Sequence, residues 1–278
     1  MDHEVIHDLI SGWASGALSV MCCQPLDTIL TRLQANVGAP PKLVPSSSLF
    51  CLWKGSSALI GAIPIQNALL MAGYGLGKRW VVEEDGKTQP NELLAGVFVG
   101  GCVGGVLQSF LMSPVELVKV NQQVNGKSLS SAVLSVSYGM FSKPLRGWRG
   151  LEATLMRDGL PHGVWFATYE FTKTKIETET RIEKTSPVIP LFSGAVAALI
   201  AWGVGYPFDI IKTRIQSAST TNVSRTPQMI DVAKDIMKES NGQVLQGLYK
   251  GFGLKLAKAI PASAINFFVY EKVMSSLA

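Results

Sequence analysis

Three times along this chain a long apolar run ends in a proline, any residue, and an acid: Pro25-Leu26-Asp27, Pro114-Val115-Glu116 and Pro207-Phe208-Asp209. The prolines lie 89 and 93 residues apart. The register then holds downstream, with Leu30, Lys119 and Lys212 five past the proline and Gln34, Gln123 and Gln216 nine past it. An aromatic-basic-glycine triplet follows in each copy, as Trp53-Lys54-Gly55, Trp148-Arg149-Gly150 and Tyr249-Lys250-Gly251. Later come Tyr74-Gly75 with Lys78, Tyr169-Glu170 with Lys173, and Tyr270-Glu271 with Met274. A single Pro-x-acid triplet carries no information. Three copies in register with two further signatures define an internal repeat, expected at residues 1–88, 89–185 and 186–278 of one integral domain.

The repeat unit is built for lipid. Leu9–Leu26, Gly55–Gly77, Leu93–Val115 and Thr185–Phe208 contain no charge, and each crosses or nearly crosses a hydrocarbon core about 30 Å thick. Only 16% of the 278 residues are charged, against about 25% in an ordinary soluble protein. The net charge of +5 is spread singly over helix ends, which suits anionic lipid and lacks the clustered bases and aromatics of a nucleic-acid reader. Cys22, Cys23, Cys51 and Cys102 have no CxxC spacing, and His3, His7 and His162 form no metal-binding pattern, so neither a redox nor a metal site is expected. Met1–Asp8 reads neither as an Arg-rich transit peptide nor as a signal n-region, so the first apolar run is expected to be a retained span. No nucleophile–base constellation emerges, and no enzyme activity or cofactor is expected.

This pattern resembles the mitochondrial carrier family, whose signature is P-x-[DE]-x-x-[KR]-x-[KR] followed by [DE]-G-x4-[FYW]-[KR]-G. The resemblance covers roughly residues 8–276 and is similar in places to the carnitine/acylcarnitine and basic-amino-acid branch, as at Arg157-Asp158, Tyr169-Glu170 and Gly73–Lys78. It implies an all-α membrane protein. Six transmembrane helices, in three pseudo-threefold tandem repeats, would surround a central cavity, with short surface helices on the matrix side. Odd-numbered helices are expected near 7–35, 91–124 and 188–217, each bent at its proline, and even-numbered ones near 56–81, 151–178 and 252–276. Surface stretches are expected near 40–52, 127–145 and 219–247, with inter-repeat loops at Glu83–Gln89 and Lys175–Ser186. Small residues four apart, at Gly12/Gly16, Gly73/Gly77, Gly96/Gly100/Gly104, Gly159/Gly163 and Gly194/Ala198, fit close helix packing in a membrane.

The resemblance also implies two rings of ion pairs. On the matrix side the acid of each odd helix pairs with the base of the next, giving Asp27–Lys119 and Glu116–Lys212. Asp209 is left without its motif base because position 30 is leucine. Gln34, Gln123 and Gln216 resemble the family's braces beneath these pairs. On the cytoplasmic side two pairing senses are possible. Base to the acid of the next repeat gives Lys78–Glu170 and Lys173–Glu271, with Met274 facing Gly75. The opposite sense strands two charges, each at a cost of several kcal/mol in low dielectric, so the first is expected, and it is also the family's. The pairs would act as latches in alternating access. Solvation of helix ends is the blander role for the same charges. Helix starts at Gly55, Gly150 and Gly251 match the family's cardiolipin positions, where free N–H groups favour phosphate. Capping with interfacial anchoring by the aromatic residue is compatible with that.

Arg157-Asp158 and Lys258 lie 12–13 residues before Glu170 and Glu271, roughly 18–20 Å inward along the helix. The second helix offers Gly61 and Ala62 there, room rather than charge. Ionised groups at mid-membrane are candidate binding residues. They match the family's substrate contact points, although a purely structural Arg157–Asp158 pair is the alternative. Asp158 suits an ammonium, while Arg157 and Lys258 suit a carboxylate. Trp202, Gln108 and Ser109 are expected to face the same cavity, with Asn67, Trp165, Asn266 and His162 as further candidates. The expected activity is transport of an amino-acid-like or carnitine-like zwitterion or cation across the inner mitochondrial membrane by a monomer. Carboxylate, keto-acid and nucleotide carriers are alternatives, and a non-transporting membrane adaptor of the same fold is a further one.

Overall fold

The computed structural model describes residues 3–35, 49–81, 90–142, 148–179, 186, 188–217 and 228–277. No strand occurs among them. Six long helices carry the fold: α1 (His3–Ala35), α2 (Ser56–Arg79), α3 (Pro90–Gln123), α5 (Leu151–Glu179), α6 (Val188–Ser217) and α9 (Phe252–Leu277). Between them lie a 3₁₀ turn (Leu49–Trp53) and the shorter α4 (Leu129–Ser142), α7 (Met229–Glu239) and α8 (Val244–Gly247). Each long helix passes through one internal proline, at Pro25, Pro64, Pro114, Pro161, Pro207 and Pro261. Such prolines are tolerated where neighbouring helices and polar side chains satisfy the freed backbone groups.

Most of the first expected surface stretch, and the loop Glu83–Gln89, lie outside the described residues. The expected loop beginning at Lys175 is helical as far as Glu179, because Lys-Ile-Glu-Thr-Glu contains no glycine or proline to stop the helix. Four helical segments are long and apolar enough to cross a membrane: Phe50–Arg79, Glu92–Gln123, Val188–Ser217 and Phe252–Ser276. Helices α1 and α5 have the length but are more polar. In α5 the difference comes from Glu152, Arg157, Asp158, Glu170 and Lys173.

Two compact units are present. The first comprises Met1–Ile65, Met112–Gly150 and Ile210–Ala278. In it α1 packs along α9, and the Ser19 hydroxyl donates to the Ala262 carbonyl at 3.0 Å. The Trp13 indole donates to the Ile60 carbonyl at 3.1 Å. Helix α4 sets Ala132 and Val136 on Leu117 and Val118 of α3, with Ala58 and Met140 beside them. Arg214, near the end of α6, holds Glu239 of α7 through two hydrogen bonds of 2.5 and 3.2 Å.

The second unit comprises Gln66–Leu111 and Leu151–Asp209. Here α3 presents glycines on two faces. A Cβ on Gly100 would stand 2.6 Å from the Tyr74 carbonyl, and one on Gly73 would stand 2.6 Å from the Gly104 Cα. On the other face a Cβ on Gly101 would stand 2.8 Å from the Gly163 Cα, and one on Gly105 would collide with the Asp158 carbonyl. Real Cβ contacts are longer, so glycine is required for α2 and α5 to approach α3 this closely. Gly12 and Gly194 meet nothing within 4 Å, whereas a Cβ on Gly16 would stand 3.3 Å from the Ile63 side chain.

Polarity is distributed inside out. Gln24, Thr28, Gln108, Ser109, Gln123 and Asp158 are buried, while Leu191, Phe192, Met71, Phe171 and Ile260 are exposed. Water would drive the reverse arrangement; a hydrocarbon solvent permits this one.

Candidate functional site

In the first unit two of the proline-acid segments, Pro25–Asp27 and Pro114–Glu116, present their acids to lysines. Lys119 pairs with Asp27, and Lys212 pairs with Glu116, the two pairs that the family resemblance implies. Asp27 also holds a second base, Lys258 of α9. Asp27 is 17% exposed and Lys258 25%, so one of the expected substrate cations is already bound to a signature acid. Two of the glutamines bond to threonines. The Gln123 amide donates to the Thr28 hydroxyl at 3.0 Å, and the Thr213 hydroxyl donates to the Gln34 carbonyl oxygen at 3.1 Å. Thr28 in turn donates to the Leu52 carbonyl at 2.6 Å, and the Arg32 Nε donates to the Gln123 carbonyl at 3.1 Å. The Gln216 amide has no hydrogen-bond partner among the described residues; its side chain lies against Gly150.

Sequence reasoning singled out neither threonine. Thr28 directly follows one signature acid, and Thr213 directly follows one signature base and recurs six past the proline only as Thr31, the second repeat having Val120. Gly61 of α2 has open space around it, with nothing within 4 Å of where a Cβ would stand. This agrees with the room read from its position.

In the second unit the charged residues of α5 form one cluster. Arg157 donates from Nε to the Asp158 Oδ1 at 2.7 Å, and its Nη2 lies 2.6 Å from the same oxygen. Its Nη1 lies 3.5 Å from the Asp209 Oδ1. The expectation that Asp209 stands without a base is therefore corrected. The leucine at position 30 removes the motif base, and a guanidinium from α5, with its longer reach, pairs with Asp209 instead.

Asp158 is nearly buried, its side chain 4% exposed, and Arg157 and Asp209 are 21% and 15% exposed. The Ser109 hydroxyl donates to the Gly105 carbonyl at 2.7 Å and lies 3.4 Å from the Asp158 Oδ2. Gln108 and Ser109 are fully buried rather than open to a cavity, because the glycine contact between α3 and α5 closes over that face. His162 donates from Nδ1 to the Asp158 carbonyl at 2.6 Å. Its Nε2 is thereby left to accept from the Gln108 amide at 3.1 Å. Trp202 on α6 is half-buried.

At the other ends of α2 and α5, no ion pair joins Lys78 and Glu170 among the described residues. Lys78 instead lies over the Tyr74 ring, 6.0 Å from its centre. Tyr74 stacks on Phe166, and Trp165 stacks on Tyr169. The expected partner of Lys173, Glu271, has a side chain outside the described residues.

The three triplet glycines share one backbone state, with φ of +92° at Gly55, +80° at Gly150 and +86° at Gly251. Only glycine adopts it without strain, and each stands just before an even-numbered long helix of the repeat, α2, α5 or α9. A Cβ on Gly55 would press 3.0 Å from the Lys119 Cγ, so the turn lies against a base of the ion-pair network. Beside Gly150, burial pushes the Arg149 guanidinium below its usual pKa.

The sequence profile of the mitochondrial carrier protein family matches residues 2–85, 91–180 and 183–278. The chain is 29% identical to a mitochondrial carnitine/acylcarnitine carrier-like protein of Arabidopsis thaliana, covering 97% of this chain and 98% of that one. It is 28% identical to the human mitochondrial carnitine/acylcarnitine carrier protein, over 98% and 94%. It is 26% identical to the mitochondrial arginine transporter BAC2 of Arabidopsis thaliana, over 97% and 91%.

Proposed function

This chain belongs to the mitochondrial carrier family, a family of transporters of small molecules, and from that premise we propose that it carries an amino-acid-like or carnitine-like zwitterion or cation across the inner mitochondrial membrane. The observation that carries the reading is Arg157, a part-exposed base on a membrane helix, set between the carboxylates of Asp158 and Asp209. Both signs are therefore presented to a solute, and ionised groups are kept at this depth only when they pair or act. Relatives described as carnitine/acylcarnitine carriers and as an arginine transporter point to solutes bearing both a carboxylate and a cationic nitrogen.

Arg157 takes the solute's carboxylate in this reading. Asp27–Lys119, Glu116–Lys212 and the glutamine–threonine bonds form the matrix latch, and Lys78–Glu170 with Lys173–Glu271 form the cytoplasmic one. Transport alternates between them. Lys258 can leave Asp27 without stranding it, because Lys119 is bound to the same carboxylate. The helix starts after Gly55, Gly150 and Gly251 hold cardiolipin phosphate through their free N–H groups, and the protein works as a monomer.

A second reading, transport of a carboxylate or keto acid, is favoured by the commitment of Asp158 to Arg157 and Ser109, which leaves Asp158 to orient the guanidinium. Uptake by purified protein in cardiolipin-containing liposomes separates the two. L-carnitine and L-arginine are expected to enter and to compete with each other more strongly than dicarboxylates or nucleotides do. Uptake of a dicarboxylate or keto acid with exclusion of both zwitterions would replace the first reading by the second.

A further inference from the structure

Helix α5 carries one histidine, and its surroundings fix which ring nitrogen holds the proton. Nδ1 of His162 lies 2.6 Å from the Asp158 carbonyl. That oxygen can only accept, so Nδ1 is the donor and Nε2 carries the lone pair. We propose that Nε2 is a proton-binding site linked to transport, such that a proton on His162 and a solute carboxylate at Arg157 each favour the binding of the other. This deepens the transport reading above and rests on Arg157 taking the carboxylate. It applies to any carboxylate-bearing solute that the chain carries.

Three observations carry it. The first is that the Nε2 lone pair is poorly engaged. The Gln108 amide nitrogen stands 3.1 Å from Nε2 and 3.4 Å from Nδ1. A donor in line with the Nε2 lone pair would be far from Nδ1, so this bond is bent and weak. The second is a spare acceptor. Gln108 is 1% exposed, and its Oε1 has no hydrogen-bond partner among the described residues. Once Nε2 is protonated, turning the amide about its last bond offers Oε1 to the new N–H. A charge-assisted bond, roughly twice as strong as a neutral one, then replaces the bent one. The third is space. Gln108 and Ser109 are fully buried while His162 is half-buried. The ring therefore meets the surroundings on one side only, and a proton needs no cavity.

The coupling is electrostatic. Asp158 and Arg157, on its own helix, are the charges that act on the ring, and Arg157 also reaches Asp209 of α6. From α3 the ring meets the neutral Gln108, with the Cys102 thiol against the next residue, Gly163. Helix α6 meets the preceding Pro161 through Gly205, and α2 brings the Tyr74 phenol onto Phe166 one turn on. A proton passing from water to Nε2 adds one positive charge beside Asp158, whatever else the cluster holds. That charge strengthens the attraction of the Arg157 region for a carboxylate. By linkage, the bound carboxylate tightens the ring's hold on its proton by the same factor.

L-carnitine suits the test, because neither its carboxylate nor its quaternary nitrogen changes charge between about pH 6 and 8, where imidazoles titrate. In cardiolipin-containing liposomes buffered alike on both faces, wild-type KM is expected to be about fivefold or more lower at the acid end of that range than at the alkaline end. His162→Gln keeps a donor for the Asp158 carbonyl but cannot take the proton, and it is expected to lose the slope. His3 and His7 are the chain's only other histidines, and the slope is expected to survive His3→Gln combined with His7→Gln. Choline, which has no carboxylate, should compete no better at the acid end. A wild-type KM indifferent to pH, or a slope that persists in His162→Gln, overturns this inference and leaves the substrate class standing. Wild-type protein that refuses L-carnitine and takes up oxoglutarate overturns the zwitterion reading alone, and the same slope measured with oxoglutarate then decides this one. Nitrogen NMR of labelled histidine in detergent gives a readout independent of transport. The ring whose signals vanish in His162→Gln is expected to be the Nδ1–H tautomer when neutral, and to titrate at higher pH with L-carnitine, or oxoglutarate, bound. A ring that stays neutral down to about pH 5, or whose midpoint ignores the bound solute, overturns the proposal whatever the uptake assays give.

Discussion

Asp27 holds two bases, Lys119 and Lys258, whereas the contact described for Asp209 is with a single guanidinium across 3.5 Å. Position 30, where the motif places a base, is a leucine 5% exposed. Leu30→Lys restores the motif base, and a lysine at so buried a position must find a carboxylate. An added latch worth about 1 kcal/mol is expected to slow turnover in liposomes roughly fivefold without lowering Tm; unchanged turnover would remove position 30 from the latch. The pairs Asp27–Lys119 and Glu116–Lys212 were legible because the acid recurs in three repeats and the base in two, at places where the family resemblance implies pairing. Lys258–Asp27 and Arg157–Asp209 were not. Spacing along one helix gives the depth of a side chain, and depth does not say which neighbouring helix a long flexible side chain will reach. Similarly, Thr28 has no counterpart in the other repeats and Thr213 has one only in Thr31, so neither stood out as a full threefold position.

For the helices, close approach is decided by single glycines. Gly105→Ala would set a methyl group into the Asp158 carbonyl and 3.0 Å from the Gly159 Cα. Overpacking of this kind costs about 1–3 kcal/mol, so thermal unfolding in detergent should begin several degrees lower than in wild type. Gly194→Ala, with open space around it, should lie within about 0.5 kcal/mol of wild type. Equal Tm values for the two variants would mean that α3 and α5 do not approach as closely as described. The Gly55→Ala change combines a positive φ of +92° with the Lys119 contact, and it is expected to lower both Tm and transport by disturbing the turn against the ion pair. The four-residue glycine spacing announced close packing, but not its distribution. Gly101 and Gly105 pack on α5 while Gly100 and Gly104 pack on α2, a division that needs the partner helices to be seen. The spans themselves were read from charge-free runs and proline-acid endings. Their ends shift where ordinary helix formers, as at Lys175–Glu179, carry the helix past its expected loop.

At the scale of the whole molecule, an alternating transporter cannot have every latch made at once. In the first unit the pairs of the signature segments are formed; in the second, Lys78 and Glu170 stand without the ion pair that the repeat register assigns them. The resemblance implies which charges would pair but is silent about when, because one sequence serves both states. If Lys78 and Glu170 pair only in the alternate state, their coupling belongs to the transport cycle and not to the stability of the state described here. A double-mutant cycle with Lys78→Gln and Glu170→Gln separates the two. Effects on uptake rate should be non-additive by about 0.5–3 kcal/mol, and effects on Tm in detergent should add within about 0.5 kcal/mol. Additivity in both measurements would mean that these charges never meet and only solvate their helix ends. Non-additivity in Tm would mean that they already pair in the ground state. Coupling confined to the rate is the outcome that alternation requires, since a pair made in one state and open in the other changes the barrier without stabilising the state in which it is open.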